Sequence, residues 1–115
     1  MTQVALLETS EAYTHVAVRG RLDAAGVEAV DFTLTSQIEA RGKPTVIDLT
    51  GVDFIASLGI AMLVRIARDM RENGLRVAVV AANQPVRGVL EMMKMEPLFP
   101  VVAARDEALR ALGVR

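Results

Sequence analysis

Two short runs of apolar and β-branched residues, Thr45-Val46-Ile47-Asp48-Leu49 and Leu75-Arg76-Val77-Ala78-Val79-Val80-Ala81, constrain the fold more than anything else in this chain. A strand that is apolar almost throughout must be covered on both faces, so each run belongs inside a sheet. Between them Ile60, Leu63, Val64, Ala67 and Met70 recur at helical spacing, and Asn73-Gly74 closes that pattern. Strand, helix and strand in this order make a crossover unit, right-handed and joining strands that run parallel.

The pattern extends in both directions. Val4 to Leu7 and Val16 to Val18 are apolar, and the polar segment Glu8 to Thr14 between them reads as the turn of a hairpin. Gly20-Arg21-Leu22-Asp23 breaks the second strand, after which Val27, Val30, Leu34 and Ile38 predict a helix over residues 24–41 with Asp23 as its cap. Gly42-Lys43-Pro44 ends it, residues 50–55 read as a loop, and a second helix spans Ser57 to Asn73. Asn83-Gln84-Pro85 opens a third helix that Pro97 stops, and a short strand from Phe99 to Val102 precedes an amphipathic helix from Asp106 to Leu112. The expected order is β-β-α-β-α-β-α-β-α. It describes one α/β domain over residues 1–115, with a mixed sheet of about five strands and four helices.

Composition narrows the function. Thirteen basic and 14 acidic residues leave a net charge of −1, without the basic surface that nucleic acid or an anionic membrane attracts. With no cysteine and one histidine, a disulfide framework, a thiolate metal site and a nucleophilic thiol are excluded, and no cofactor is expected. Met1 to Glu8 lacks the basic start and apolar run of a signal peptide, and charges interrupt every later apolar stretch, so a cytoplasmic location is expected.

Neither G-x-G-x-x-G nor G-x-x-x-x-G-K-[ST] occurs, which leaves nucleotide hydrolysis without a site. His15, lacking a second histidine or a Ser-His-acid order, reads as an ordinary strand residue. Asp48 and Asp53 bracket a strand end, where α/β proteins place sites and where aspartate also serves as a turn former. Asp48 as the phosphoacceptor of a receiver domain lacks the accompanying early acids and late lysine, and an enzyme is not expected.

Ser57 stands where a helix begins. Either its hydroxyl is only an N-cap for an unpaired amide, or the free amides and positive dipole end there suit a phosphate. Leu58, Met62 and Ile66 form an apolar stripe beside the core stripe, more than a surface helix needs. That surplus is compatible with a partner or with weak self-association. Met92, Met93 and Met95 are core fillers or adaptable contact residues.

With these segments in view the chain resembles a STAS domain of the anti-sigma-factor antagonist branch over nearly its whole length. Gly20-Arg21-Leu22-Asp23 is similar to that family's G-x-L-D after the second strand, and Val46-Ile47-Asp48-Leu49 with Val52-Asp53-Phe54-Ile55 resembles its strand and loop. Ala56-Ser57-Leu58-Gly59 stands where the family often has Asp-Ser-Ser/Thr-Gly, so Ser57 matches the phosphorylated hydroxyl, while Ala56 replaces the acid and Leu58 the second hydroxyl. Gly74, Pro85 and Val86 also fall at familiar places.

The resemblance implies a protein that binds an anti-sigma factor with a serine-kinase fold when unphosphorylated, and so frees a sigma factor. The kinase would phosphorylate Ser57 with ATP, and a phosphatase would reverse it. The implied contact face comprises Asp23, Asp53, Phe54, Ile55, Ala56, Leu58, Gly59, Met62 and Pro85. The alternative within the same family is a non-phosphorylated scaffold subunit of a stress-signalling or lipid-transport complex.

Overall fold

The computed structural model describes residues 1–114. Its elements follow the expected order: β1 (Gln3–Thr9), β2 (Thr14–Leu22), α1 (Ala24–Arg41), β3 (Thr45–Ile55), α2 (Ser57–Glu72), β4 (Val77–Val80), α3 (Gln84–Met92), β5 (Val101–Val102) and α4 (Arg105–Ala111). The five strands lie side by side in chain order. The first pair is antiparallel and every later pair parallel.

A sheet whose strands are added always to the same side, through right-handed crossovers, carries all its crossover helices on one face. The core has that form. Val16, Val18, Ile47, Leu49, Val77 and Val79 pack with residues of α1, α2 and α3. The alternate residues Val46, Ala78 and Val80 point the other way and meet Ala108 of α4, with Leu109 and Leu112 beside it. The strands expected to be buried on both faces are so because α4 returns across the far side.

Several boundaries differ from expectation. Residues 50–55 are not a loop: β3 continues to Ile55, pairing Gly20 with Val52, Arg21 with Phe54 and Leu22 with Ile55. Thr50 and Gly51 look like a turn in sequence, but the register shifts between Ala17 and Arg19 and again between Gly20 and Arg21, and these irregularities let the pairing continue. The third helix stops at Met92, short of Pro97, and β5 is reduced to two residues while Phe99 enters the core.

The stripe of Leu58, Met62 and Ile66 is also corrected. Met62 and Ile66 are only 3% and 2% exposed, inside the main core, and Leu58 alone, 54% exposed, faces solvent. The apparent surplus arises because α2 has two neighbours to cover, the sheet and α1, and so needs a wider apolar arc than a helix lying on a sheet alone.

Candidate functional site

β2, β3 and β4 are parallel, so their C-terminal ends share one edge of the sheet, and the starts of α1, α2 and α3 follow there. Such an edge is where open α/β sheets present binding groups. It gathers Asp23, Ser57 and Pro85, which are far apart in sequence, and three cross-links tie it together. The amide of Ala56 donates to the carbonyl of Leu22 at 3.0 Å. The side-chain amide of Asn83 donates to the carbonyl of Val52. The Arg21 guanidinium lies 4.3 Å from the centre of the Phe54 ring, a cation–π contact.

The three helix starts are built differently. At α1 the Asp23 carboxylate accepts from the amide of Gly26 at 2.8 Å. That amide, with help from Arg21, holds the Asp23 carboxyl below the usual carboxylate range. At α3 the Asn83 side chain accepts from the amide of Val86 at 3.0 Å, and Pro85 occupies the first turn, where its missing N–H is no loss.

At α2 the expected cap is absent. Ser57 is the first helical residue, so the cap position falls to Ala56 (φ −107°, ψ 178°), which has no side-chain acceptor to offer. No acidic residue sits in the first turn. The positive end of α2 therefore meets neither a capping side chain nor a carboxylate, and the exposed Ser57 side chain stands on it.

Of the other residues expected at the contact face, Asp53, Phe54, Leu58 and Pro85 are exposed and Asp23 and Ala56 partly so. Ile55, Gly59 and Met62 are buried and serve the surface from below. At Gly59 an added Cβ would lie 2.9 Å from Ile55 Cγ1 and 3.0 Å from the Leu22 carbonyl oxygen. The residue is small because the helix start presses on the end of β2.

Arg21 and Asn83 are residues of this edge whose tertiary contacts sequence reasoning did not assign. Arg21 lies inside a quoted motif, but its position over Phe54 depends on the β2–β3 register. Asn83 is recognisable as a cap, whereas its bond to Val52 is tertiary.

Elsewhere, the buried His15 pairs with the half-buried Asp48, with Nε2 and Oδ2 2.9 Å apart. Burial pushes the Asp48 carboxyl up, but hydrogen bonds from Thr50 and His15 outweigh it and leave the group below its ordinary value. Asp48 is thus a paired residue within β3 rather than a free group at a strand end. Among the described residues no cluster of three or more His, Asp or Glu side chains could hold a metal ion. None of their helices is long and apolar enough to cross a membrane.

The fold and this edge define a class. The family model described as STAS domain matches residues 4–108, and the chain belongs to that family. Among sequence relatives, the anti-sigma-F factor antagonist RsfA of Mycobacterium tuberculosis is 27% identical over 95 residues, covering 81% of this chain and 74% of its own length. An anti-sigma factor antagonist from Mycobacterium paratuberculosis has a crystal structure that superposes with a TM-score of 0.82 at 25% identity, covering 96% of this chain and 95% of that one. Unphosphorylated SpoIIAA, an anti-sigma factor antagonist, superposes at 0.75 with 16% identity over 98% of this chain and 99% of its own. The phosphorylated form of this Bacillus cell fate determinant superposes at 0.66 with 17% identity, covering 94% and 97%.

Proposed function

We infer that this chain is an anti-sigma-factor antagonist whose docking to an anti-sigma factor kinase is controlled by phosphorylation of Ser57. The observation that carries this reading is the exposed Ser57 side chain on the first turn of a helix that no side chain caps. Relatives named for the same activity support the antagonist role, and SpoIIAA is a neighbour in fold that exists in phosphorylated and unphosphorylated forms. Here Asp23, Asp53, Phe54, Ala56, Leu58 and Pro85 contact the partner around Ser57, while Ile55, Gly59 and Met62 shape that surface from beneath. The kinase supplies the phosphoryl group from ATP, and a phosphatase removes it in the same cytoplasmic compartment.

Two effects of phosphorylation act at different levels. Within the chain a phosphoserine adds about −1.5 to −2 charges at a positive helix end, which the fold accommodates. Between chains the same group lies beside the apolar Phe54 and Leu58, where closing an interface strips its water without supplying a partner charge.

Ser57→Ala should bind the cognate kinase as the wild type does, and Ser57→Asp should bind at least about tenfold more weakly by calorimetry. Incubation with that kinase and ATP should place one phosphoryl group on Ser57 by peptide mapping. Equal affinities of the two variants, or label on another residue, would reject the switch.

A further inference from the structure

We propose that the groove between the outer sides of α1 and α2 docks a cationic, amphipathic segment of a partner protein. This surface is separate from the edge that carries Ser57. From Ser57 to Asp69 along α2 is about 18 Å at the rise of an α-helix, so both surfaces can be occupied at once.

The first observation is Phe32. It is one of three phenylalanines in the chain, and it is 84% exposed on α1. Ala25, Ala29 and Ala40 are exposed on the same helix, whose buried residues are Gly26, Val30, Leu34 and Ile38. The second half of α2 instead exposes Arg65, Arg68, Arg71 and Glu72, so on this part of the surface the large exposed apolar side chain belongs to α1.

The second observation is shape. A depression of 480 Å3 runs between the later turns of α1 and α2 over Ile38, Ile66 and Met70. It shares Thr35 and Glu39 with a shallower one that contains Phe32.

The third observation is charge. Glu28, Glu39, Asp69 and Glu72 line these two depressions, and none has an ion-pair partner among the described residues. Arg65 is the cation of the groove, and it is already committed. Its guanidinium donates to both carboxylate oxygens of Asp31, with Nη1 3.0 Å from Oδ2, and to the Thr35 hydroxyl at 3.0 Å. The chain as a whole carries only −1, so four unpaired carboxylates around one groove are a local concentration that the rest of the surface offsets.

An apolar projection flanked by Glu28 and Glu39, with Asp69 and Glu72 further along the groove, complements a helix or strand that alternates apolar side chains with Lys or Arg. The apolar side chains cover Phe32 and the basic ones reach the rim. A purely anionic or purely apolar partner would leave one of these two features uncompensated.

The test titrates the isotope-labelled chain with a short amphipathic helix of leucine and lysine, and in parallel with the matching leucine–glutamate helix and with spermine. The leucine–lysine peptide should give saturable amide shifts confined to α1 and the second half of α2, and binding should weaken as salt rises. Phe32→Ala and Glu39→Gln should each raise its Kd about tenfold. Both side chains project from the surface, so circular dichroism should show each variant folded. Shifts spread over other acidic residues, an unchanged Kd in Phe32→Ala, or equal binding of the leucine–glutamate helix would overturn the proposal. So would spermine binding as tightly as the peptide, since the groove would then read charge alone.

Discussion

The starts of α1 and α2 sit side by side at one sheet edge, yet they are finished in opposite ways. At α1 the chain closes on itself: Asp23 accepts from the Gly26 amide, and Gly26 is packed so tightly that an added Cβ would fall 1.8 Å from the Arg21 carbonyl oxygen. At α2 the cap position holds an alanine and the first residue is an exposed serine. A helix end that is capped internally has used its positive pole, whereas an uncapped one keeps it for whatever arrives from solution. The contrast is the structural basis of the proposed control at Ser57: α1 and its glycine anchor the edge, and α2 is left without a side-chain cap.

The largest way to break this contrast is at Gly26. Gly26→Ala forces a methyl group into backbone that cannot move without shifting the end of β2, and should destabilise the domain by about 3 kcal/mol in urea unfolding. A change below about 0.5 kcal/mol would mean that α1 does not rest on β2 as closely as described. Next in size is Asn83→Ala, which removes the cap of α3 and the bond to the Val52 carbonyl together. Its expected loss is about 2 kcal/mol. Ser57→Ala, which removes no cap, should stay within about 0.5 kcal/mol of the wild type in the same assay.

The parts of this edge that were legible in the sequence are those set by local chemistry. Asp23 and Asn83 announce themselves as caps because the acceptor precedes a helical period by the right spacing. The strand–helix alternation was equally plain, since each helix carries its own apolar stripe and each inner strand its own apolar run.

What was hidden depends on neighbours. Thr50-Gly51 has turn composition, and nothing local indicates that extra residues in β3 opposite β2 carry the pairing on to Ile55. Met62 and Ile66 look superfluous until α1 is known to lie against them. Ser57 resembles a cap by residue type, and only the helix boundary shifts that position to Ala56. Burial on two sides and a one-residue offset are tertiary facts, and they are what separates a structural serine from an available one.

The one expected gain is the sharpest probe of availability, because it adds what α2 lacks. Ala56 already has the extended backbone of a cap residue; the Gly59 amide donates to its carbonyl at 2.9 Å, which leaves the Leu58 amide for the carboxylate of Ala56→Asp. It should stabilise the domain by about 1 kcal/mol at neutral pH. A carboxylate that gains hydrogen bonds on folding has its folded pKa depressed, as Asp23 does already. The stability it contributes is complete above the unfolded value, near pH 4, and is lost as pH falls through the lower folded value. The gain from Ala56→Asp should therefore be present in urea melts at pH 7 and shrink in melts taken at about pH 3. If Ala56→Asp gives no gain at pH 7 while Asn83→Ala loses its cap energy as expected, the Leu58 amide is satisfied as the Gly59 amide already is. The asymmetry between the two helix starts would then be one of composition and not of free valence.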